Sequence, residues 1–540
     1  MMRAFRTAVP LLLAASLAAA PALAKPKPAP PLAGLDAYVA RAMKEFGVPG
    51  MAVAVVKDGQ VVLSKGYGVR RAGEPAPVDA ETLFGIASNT KAFTCAALSV
   101  LVQDGRIDWD DPVTKHLPAF QMHDPWVTRE VTVRDLVTHR AGLGLGQGDL
   151  MWWPPTTFTR DEIVRGIRHL KPASSFRSRY AYSNVMYVAA GEVVAAVSGR
   201  SWDDFLGERI VSPLGMSRTT TSTGALRDNV AAPHLERGGL VVPVAVMSFD
   251  NVGAAGAVHS SASDMARWVR MLLECSRKDV APGETCPLKA ESIQRMWTAQ
   301  FALGTPDPPA GLEAMKASFA AYGLGFGLRD YRGRKVASHT GGLPGFVSQV
   351  ALVPEERLGV VVLTNQEETG AFEAVRYRVF DEYLGVPEPP VDWIAAFRKR
   401  AEGERKKADE AVAKATASRD AASRPSLPLA RYAGRYRDPW YGEVTIAEES
   451  GRLALTMTRT PGMVADLEHW QHDTFVARWR QAFMSDEAPA DAYVSFALRP
   501  DASIERVTMA PVSPAIDFSF DFQDLRLTPV PADVNAARAP

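Results

Sequence analysis

The sequence predicts an α/β domain followed by a small all-β, barrel-like domain. Three observations carry this reading. Two hairpins of apolar strands bracket a mostly helical stretch in the first 390 residues. After Pro389-Pro390 the composition turns to Lys, Arg, Glu and Ala. From about Pro425 short alternating runs recur between turn residues, as in a small barrel or sandwich. A chain of 540 residues is also too long for one ordinary core.

The elements follow in order. Arg3 and Arg6, an apolar stretch over residues 9–20 and the small residues Ala22-Leu23-Ala24 read as an export signal over residues 1–24. The stretch is too short for a membrane anchor, and no Cys follows it to take a lipid. Cleavage after Ala24 is expected, with a periplasmic or secreted product. Residues 25–34 are a Pro-rich linker. Residues 35–46 are helical by periodicity, and residues 50–67 form a hairpin around Asp58-Gly59. An apolar helix follows Ser88 and closes at Asp104-Gly105. Residues 349–353 and 358–364 form a second hairpin around Pro354, and their continuous apolar runs suit central strands buried on both faces. This places a first domain at residues 35–390. Residues 391–424 read as a charged helical spacer, solvated rather than a binding site. Residues 425–540 form the β domain, with alternating runs that include Glu443-Val444-Thr445-Ile446 and Phe518-Ser519-Phe520-Asp521-Phe522.

Lys+Arg and Asp+Glu both total 61, so the chain has no net charge and gives no reason to expect nucleic acid or an anionic membrane as partner. Of three cysteines, Cys95 sits in the apolar helix and reads as a small core residue. Cys275 and Cys286 flank a short loop and are either bonded to each other or both free. The nine histidines are scattered; His469 and His472 are close but have no obvious third metal ligand. Gly-x-Ser-x-Gly and His-Glu-x-x-His signatures are missing, which argues against an α/β-hydrolase or a zinc peptidase.

Chemistry concentrates in three segments. Ser88 and Lys91 are three apart at the start of an apolar helix and share one face. A serine hydroxyl becomes a nucleophile once something takes its proton, and a lysine whose pKa is lowered by burial can do so. The Ser88 N–H at a helix start can meet a developing oxyanion. Tyr182-Ser183-Asn184 precedes a second helix; a tyrosine between two cations can have its pKa lowered and accept a proton, and Asn184 can bond Lys91 and a substrate carbonyl. In His339-Thr340-Gly341-Gly342, His339 and Thr340 offer donors, the paired glycines admit a substrate backbone, and the Gly342 N–H can complete an oxyanion hole. Each segment alone also has a plainer reading, as helix cap, packed tyrosine or glycine turn.

Together, and in this order, the three segments resemble the serine β-lactamase-like hydrolases: class C β-lactamases, D-alanyl-D-alanine carboxypeptidases, D-aminopeptidases and related esterases. The segments at residues 136–143, 251–268 and 342–365 extend the likeness, which covers residues 35–384. The resemblance implies an antiparallel sheet flanked by helices with a helical subdomain. It implies Ser88 as the acylated nucleophile, Lys91 as its activator and Tyr182 as base or proton shuttle. Asn184, His339, Thr340, Gly341 and Gly342 would bind substrate. Whether Lys91 or Tyr182 takes the first proton stays open. No cofactor or metal is implied, and the partner is a small-molecule or short-peptide substrate. The β-lactamases of this group usually carry Lys where this chain has His339, a weaker anchor for a lactam carboxylate. The residues 432–436 and 467–470 resemble a lipocalin-like domain appended to some of these hydrolases, where it restricts the active site. Trp152-Trp153 either line the entrance with aromatic surface or fill core beneath a loop. Three functions follow: an exported hydrolase of esters or peptide-like amides, a β-lactamase or carboxypeptidase, and a non-catalytic binding protein on the same fold.

Overall fold

The computed structural model describes residues 32–280, 283, 285–386, 391–486 and 489–531. The expected leader and all but the last residues of the proline-rich linker lie outside the described residues. Helix α1 (Leu35–Glu45) buries Leu35, Val39, Ala42 and Met43, one stripe at helical spacing. Strands β1 (Gly50–Lys57) and β2 (Gln60–Gly68) form the first hairpin. Asp58 and Gly59 turn it with φ of 51° and 77°, the two positive values that a tight hairpin turn requires.

Helix α2 (Thr90–Gln103) carries Lys91, α3 (Val185–Ser198) follows Asn184, and α4 (Ala262–Cys275) lies against the sheet. The sheet continues through β3 (Phe301–Ala302), β4 (Ala320–Tyr322), β5 (Gly327–Tyr331), β6 (Arg334–Leu343), β7 (Phe346–Val353) and β8 (Leu358–Thr364). Its order is β2-β1-β8-β7-β6-β5-β4-β3, and every pairing is antiparallel. Strands β7 and β8 are buried along their whole length, as their apolar runs predict. On β1, Ala52, Ala54 and Val56 face the core shared with α2 and α4. Met51, Val53 and Val55 face the core made with α1, α5 (Thr369–Tyr383) and the start of α6 (Trp393–Ala417). Burying each such valine contributes roughly 1.5–3 kcal/mol.

The charged helix is therefore more than a spacer. Trp393, Ile394 and Phe397 are buried, and Trp393 stacks on Tyr377 with centroids 4.5 Å apart. Beyond these turns α6 is largely exposed, matching its charge. Cys275 and Cys286 are disulfide-bonded, which settles the open alternative. Cys95 is a free, buried thiol.

The C-terminal domain holds β9 (Gly434–Asp438), β10 (Gly442–Glu449), β11 (Arg452–Met457), β12 (Val464–Gln471), β13 (Thr474–Trp479), β14 (Ala492–Leu498), β15 (Ile504–Pro511) and β16 (Thr528–Pro529). Their order is β15-β14-β13-β12-β11-β10-β9-β16, and a bridge between Val507 and Leu527 brings the ends together as a nearly closed antiparallel barrel. Tyr432, Phe475 and Phe496 pack edge to face inside it.

One expected strand is not a strand. Residues 518–522 alternate as a strand would, yet they form a loop that enters the first domain. Asp521 accepts from the Gly148 and Leu150 N–H groups at 2.6 and 3.1 Å, and Ser519 donates to Asp149 at 2.9 Å. The polar residues of the alternation are satisfied by another domain rather than facing water.

Candidate active site

Ser88 lies in a single 3-10 turn (Ala87–Asn89) that runs directly into α2. Ala87 takes φ of 49°, a left-handed backbone that costs an L-residue about 1–2 kcal/mol. Strand β7 holds this turn: Ser348 donates to the Ile86 carbonyl at 2.7 Å and accepts from Asn89 at 2.8 Å. Gly341 pairs with Ser348 across β6 and β7, and a Cβ there would lie 2.2 Å from the Ile86 carbonyl oxygen. Gly341 thus faces the Ser88 turn from behind and does not line the cavity. Its glycine lets β6 approach the nucleophile's backbone, not a substrate's.

Lys91, one turn on, is completely buried. Its Nζ donates to Asn184 Oδ1 at 2.7 Å, the Ala255 carbonyl at 2.9 Å and Ser88 Oγ at 3.1 Å. It also lies 4.7 Å from the Tyr182 ring centroid and 5.3 Å from that of Tyr187. Burial lowers its pKa to about 7, against a smaller opposing pull from Asp149. At neutral pH a substantial share of Lys91 is therefore the free amine, with a lone pair facing the hydroxyl.

Burial holds the Tyr182 phenol well above its ordinary range, against a smaller downward pull from the neighbouring Ser88 hydroxyl. The expected cation pair around it is not found. His339, 6.1 Å away ring to ring, is driven down to about 4 by burial and by Lys91. His139, tilted against the Tyr182 ring at 4.3 Å, is likewise held well below the usual imidazole range. Tyr182 is a neutral phenol here, able to pass a proton on but not to act as a resting phenolate.

His339 Nδ1 meets the Thr340 carbonyl at 2.6 Å, so this nitrogen carries the proton, and Nε2 accepts from the Tyr322 hydroxyl at 3.3 Å. Ser88, Tyr182, Asn184, His339, Thr340 and Gly342 line one cavity of about 300 Å³. A larger cleft of about 490 Å³, lined by Glu45, Glu236, Arg398 and Glu402, contains none of the motif residues. Chemistry rather than size selects the site.

Residues outside the three motifs complete the wall. Trp152 and Trp153 are buried, yet both reach the cavity, so the two alternatives for them hold together. Asp517, Phe518 and Ser519 come from the barrel domain, and Phe518 stands edge-on to Tyr182 at 5.9 Å. Asp149, buried behind the wall, accepts from Trp152 Nε1, Asn184 Nδ2 and Ser519 Oγ at 2.8, 2.8 and 2.9 Å. Burial raises its pKa to about 7 against these donors and Lys91. Among the described residues no His, Cys, Asp and Glu group could hold a metal ion, and no helix is long and apolar enough to cross a membrane.

The model of the Beta-lactamase family matches residues 35–384, which hold the whole motif set. The chain belongs to the beta-lactamase family. Residues 418–529 match a domain of unknown function, DUF3471, so this beta-lactamase family member carries its barrel as a second matched unit. The unguisins hydrolase ungD' of Aspergillus campestris is 30% identical over 443 residues, 78% of each chain. The unguisins hydrolase ungD of Aspergillus violaceofuscus is 30% identical over 500 residues, covering 87% of this chain and 86% of that one. Among solved structures, the octameric penicillin-binding protein homologue from Pyrococcus abyssi superposes with a TM-score of 0.57 at 24% identity, over 91% of this chain and 98% of that one. That likeness extends the shared fold through the barrel. The sequence relatives place this beta-lactamase family member among hydrolases.

Proposed function

We propose that the protein is an exported, metal-independent serine hydrolase that opens ester or peptide-like amide bonds through an acyl-enzyme on Ser88. The observation that carries this is the buried Lys91 amine, 3.1 Å from Ser88 Oγ and titrating near neutrality. Lys91 takes the hydroxyl proton as Ser88 Oγ attacks the carbonyl carbon. The N–H groups of Ser88 and Gly342 receive the oxyanion. Tyr182, a neutral phenol lining the same cavity as Ser88, relays the proton to the leaving group, and water then releases the acyl group with Ser88 reprotonated. Two relatives named as unguisins hydrolases support hydrolysis as the outcome.

The β-lactamase reading is weaker because the cavity offers a neutral His339 where a fixed ammonium would anchor a lactam carboxylate. The binding-protein reading leaves a fully buried lysine aimed at a serine without a purpose. The test is rapid mixing of the full chain with p-nitrophenyl butyrate followed by intact-mass and peptide analysis. A butyryl adduct on the Ser88 peptide is expected; turnover with an adduct elsewhere would sink the reading.

The aromatic wall of Trp153, Phe518 and Tyr182 suits an apolar acyl group, and Phe518 makes the barrel domain part of substrate selection. Phe518→Ala is expected to raise KM for the butyrate ester roughly five- to tenfold while widening tolerance for branched acyl chains. A panel of p-nitrophenyl esters compared with the unaltered chain checks this, and identical profiles would remove the barrel from selection.

A further inference from the structure

A single chain of hydrogen bonds runs from the barrel domain to the nucleophile. Ser519 donates to Asp149, Asn184 donates to the same Asp149 oxygen, Lys91 donates to Asn184, and Lys91 reaches Ser88. Every link but the serine at its end is buried. The chain also fixes the Asn184 amide. With its Nδ2 donating to Asp149, only Oδ1 can face Lys91; the flipped amide would set donor against donor at the lysine. The third donor on Asp149, Trp152 Nε1, closes its remaining oxygen, and Asp521 holds the backbone on both sides of it through the Gly148 and Leu150 N–H groups.

We propose that Asp149 is a positioning residue that locks the Asn184 amide and governs the charge carried by Lys91, and that Ser519 ties this control to the barrel domain. The inference rests on the reading of Ser88 as nucleophile and Lys91 as its base. Asp149 does not line the cavity and touches no reacting atom; it acts through Asn184. The charge balance around it is sparse. Lys91 is faced from its own helix by Cys95, whose thiol burial pushes up to about 12, and from other elements by Tyr182 and Tyr187, both held as phenols. His139 and His339 are neutral imidazoles. Asp517 and Asp521 are buried acids held above the usual carboxylate range, Asp521 the more strongly. Asp149 is the carboxylate left to pair with an ammonium at Lys91, and this pairing raises the lysine's affinity for its proton.

The sign follows. Acylation needs the neutral amine, so the rate rises as pH passes through the Lys91 pKa. Asp149→Asn removes the charge that favours the ammonium, and the rise moves to lower pH. The measurement is the rate at which a fluorophosphonate probe labels Ser88 in the full-length protein from about pH 5 to about pH 9, roughly two units either side of neutrality. In Asp149→Asn the rise is expected to shift down by about one pH unit. The plateau rate is expected to fall on the order of tenfold as Asn184 loses its fixed orientation. Ser519→Ala removes one donor from the carboxylate and makes it easier to protonate, so its rise moves the same way by less. A wild-type rise retained in both variants, with only thermal stability lowered, would reduce Asp149 to a structural group and overturn the inference. If Asp149→Asn does not fold, Ser519→Ala decides alone, an unmoved rise counting against it. Wild-type protein that takes no label at Ser88 would overturn the acyl-enzyme reading and this inference with it, whereas a labelled wild type with unmoved variants overturns the inference only.

Discussion

Ser88→Ala is expected to lower kcat/KM for p-nitrophenyl butyrate by about five to six orders of magnitude, to the level of residual binding and oxyanion stabilisation. The expectation is sharp because the substitution changes little else. The Ser88 turn is held by main-chain and neighbouring groups, Ile86, Asn89 and Ser348, none of which uses the Ser88 hydroxyl. Lys91 keeps two of its three acceptors, Asn184 Oδ1 and the Ala255 carbonyl. Stability is expected to stay within about 1 kcal/mol of wild type. Ester turnover measured beside a thermal melt separates the two effects. An active, folded Ser88→Ala protein would place the nucleophile elsewhere.

Lys91→Met is expected to cost about three to five orders of magnitude in kcat, because it removes the amine that lies 3.1 Å from Ser88 Oγ. Tyr182 is a poor substitute, its phenol held well above the ordinary range by burial. The same variant makes a second, independent statement about stability. Lys91 falls from an ordinary 10.5 to about 7 on folding. Between these values the unfolded chain holds a proton that the folded chain has released, so wild-type stability rises with pH across that window and is lowest below it. Methionine has no such term. Wild type should gain on Lys91→Met in denaturant melts as pH climbs from about 7 towards 10, by a few kcal/mol at most. A constant difference across the window would mean that Lys91 is not neutral in the folded protein.

The motif residues were legible because their chemistry is local. Ser88 and Lys91 show helical spacing, Tyr182 and Asn184 share one helix entry, and Thr340 and Gly342 share one face of a strand. The buried strand pair β7 and β8 announced itself by unbroken apolar runs. What sequence could not show depends on contacts between distant segments. Gly341 reads as a substrate-facing glycine until β6 is seen against Ile86. Asp149 looks like a loop carboxylate until Trp152, Asn184 and Ser519 converge on it. Residues 518–522 read as a strand because alternation reports two environments, and here the second environment is another domain's interior rather than solvent. The sequence predicts a Tyr182 acidified by cations, but the same burial that frees the Lys91 amine also neutralises His339 and His139 around it.

The entry of residues 517–521 into the first domain has a consequence in time. A ribosome that has reached the end of β15 at Pro511 has already released the serine, its amine and the glycine strand, while one wall and the far end of the hydrogen-bond chain do not yet exist. Nascent protein thus carries Ser88, Lys91 and Asp149 before it carries the serine that bonds Asp149 from the barrel domain. The final docking joins segments at opposite ends of the domain order and bears the largest loop-closure entropy in the site. The cavity wall and the bond to Asp149 are complete only once the barrel's loop seats, and a product cut short before that loop would lack both.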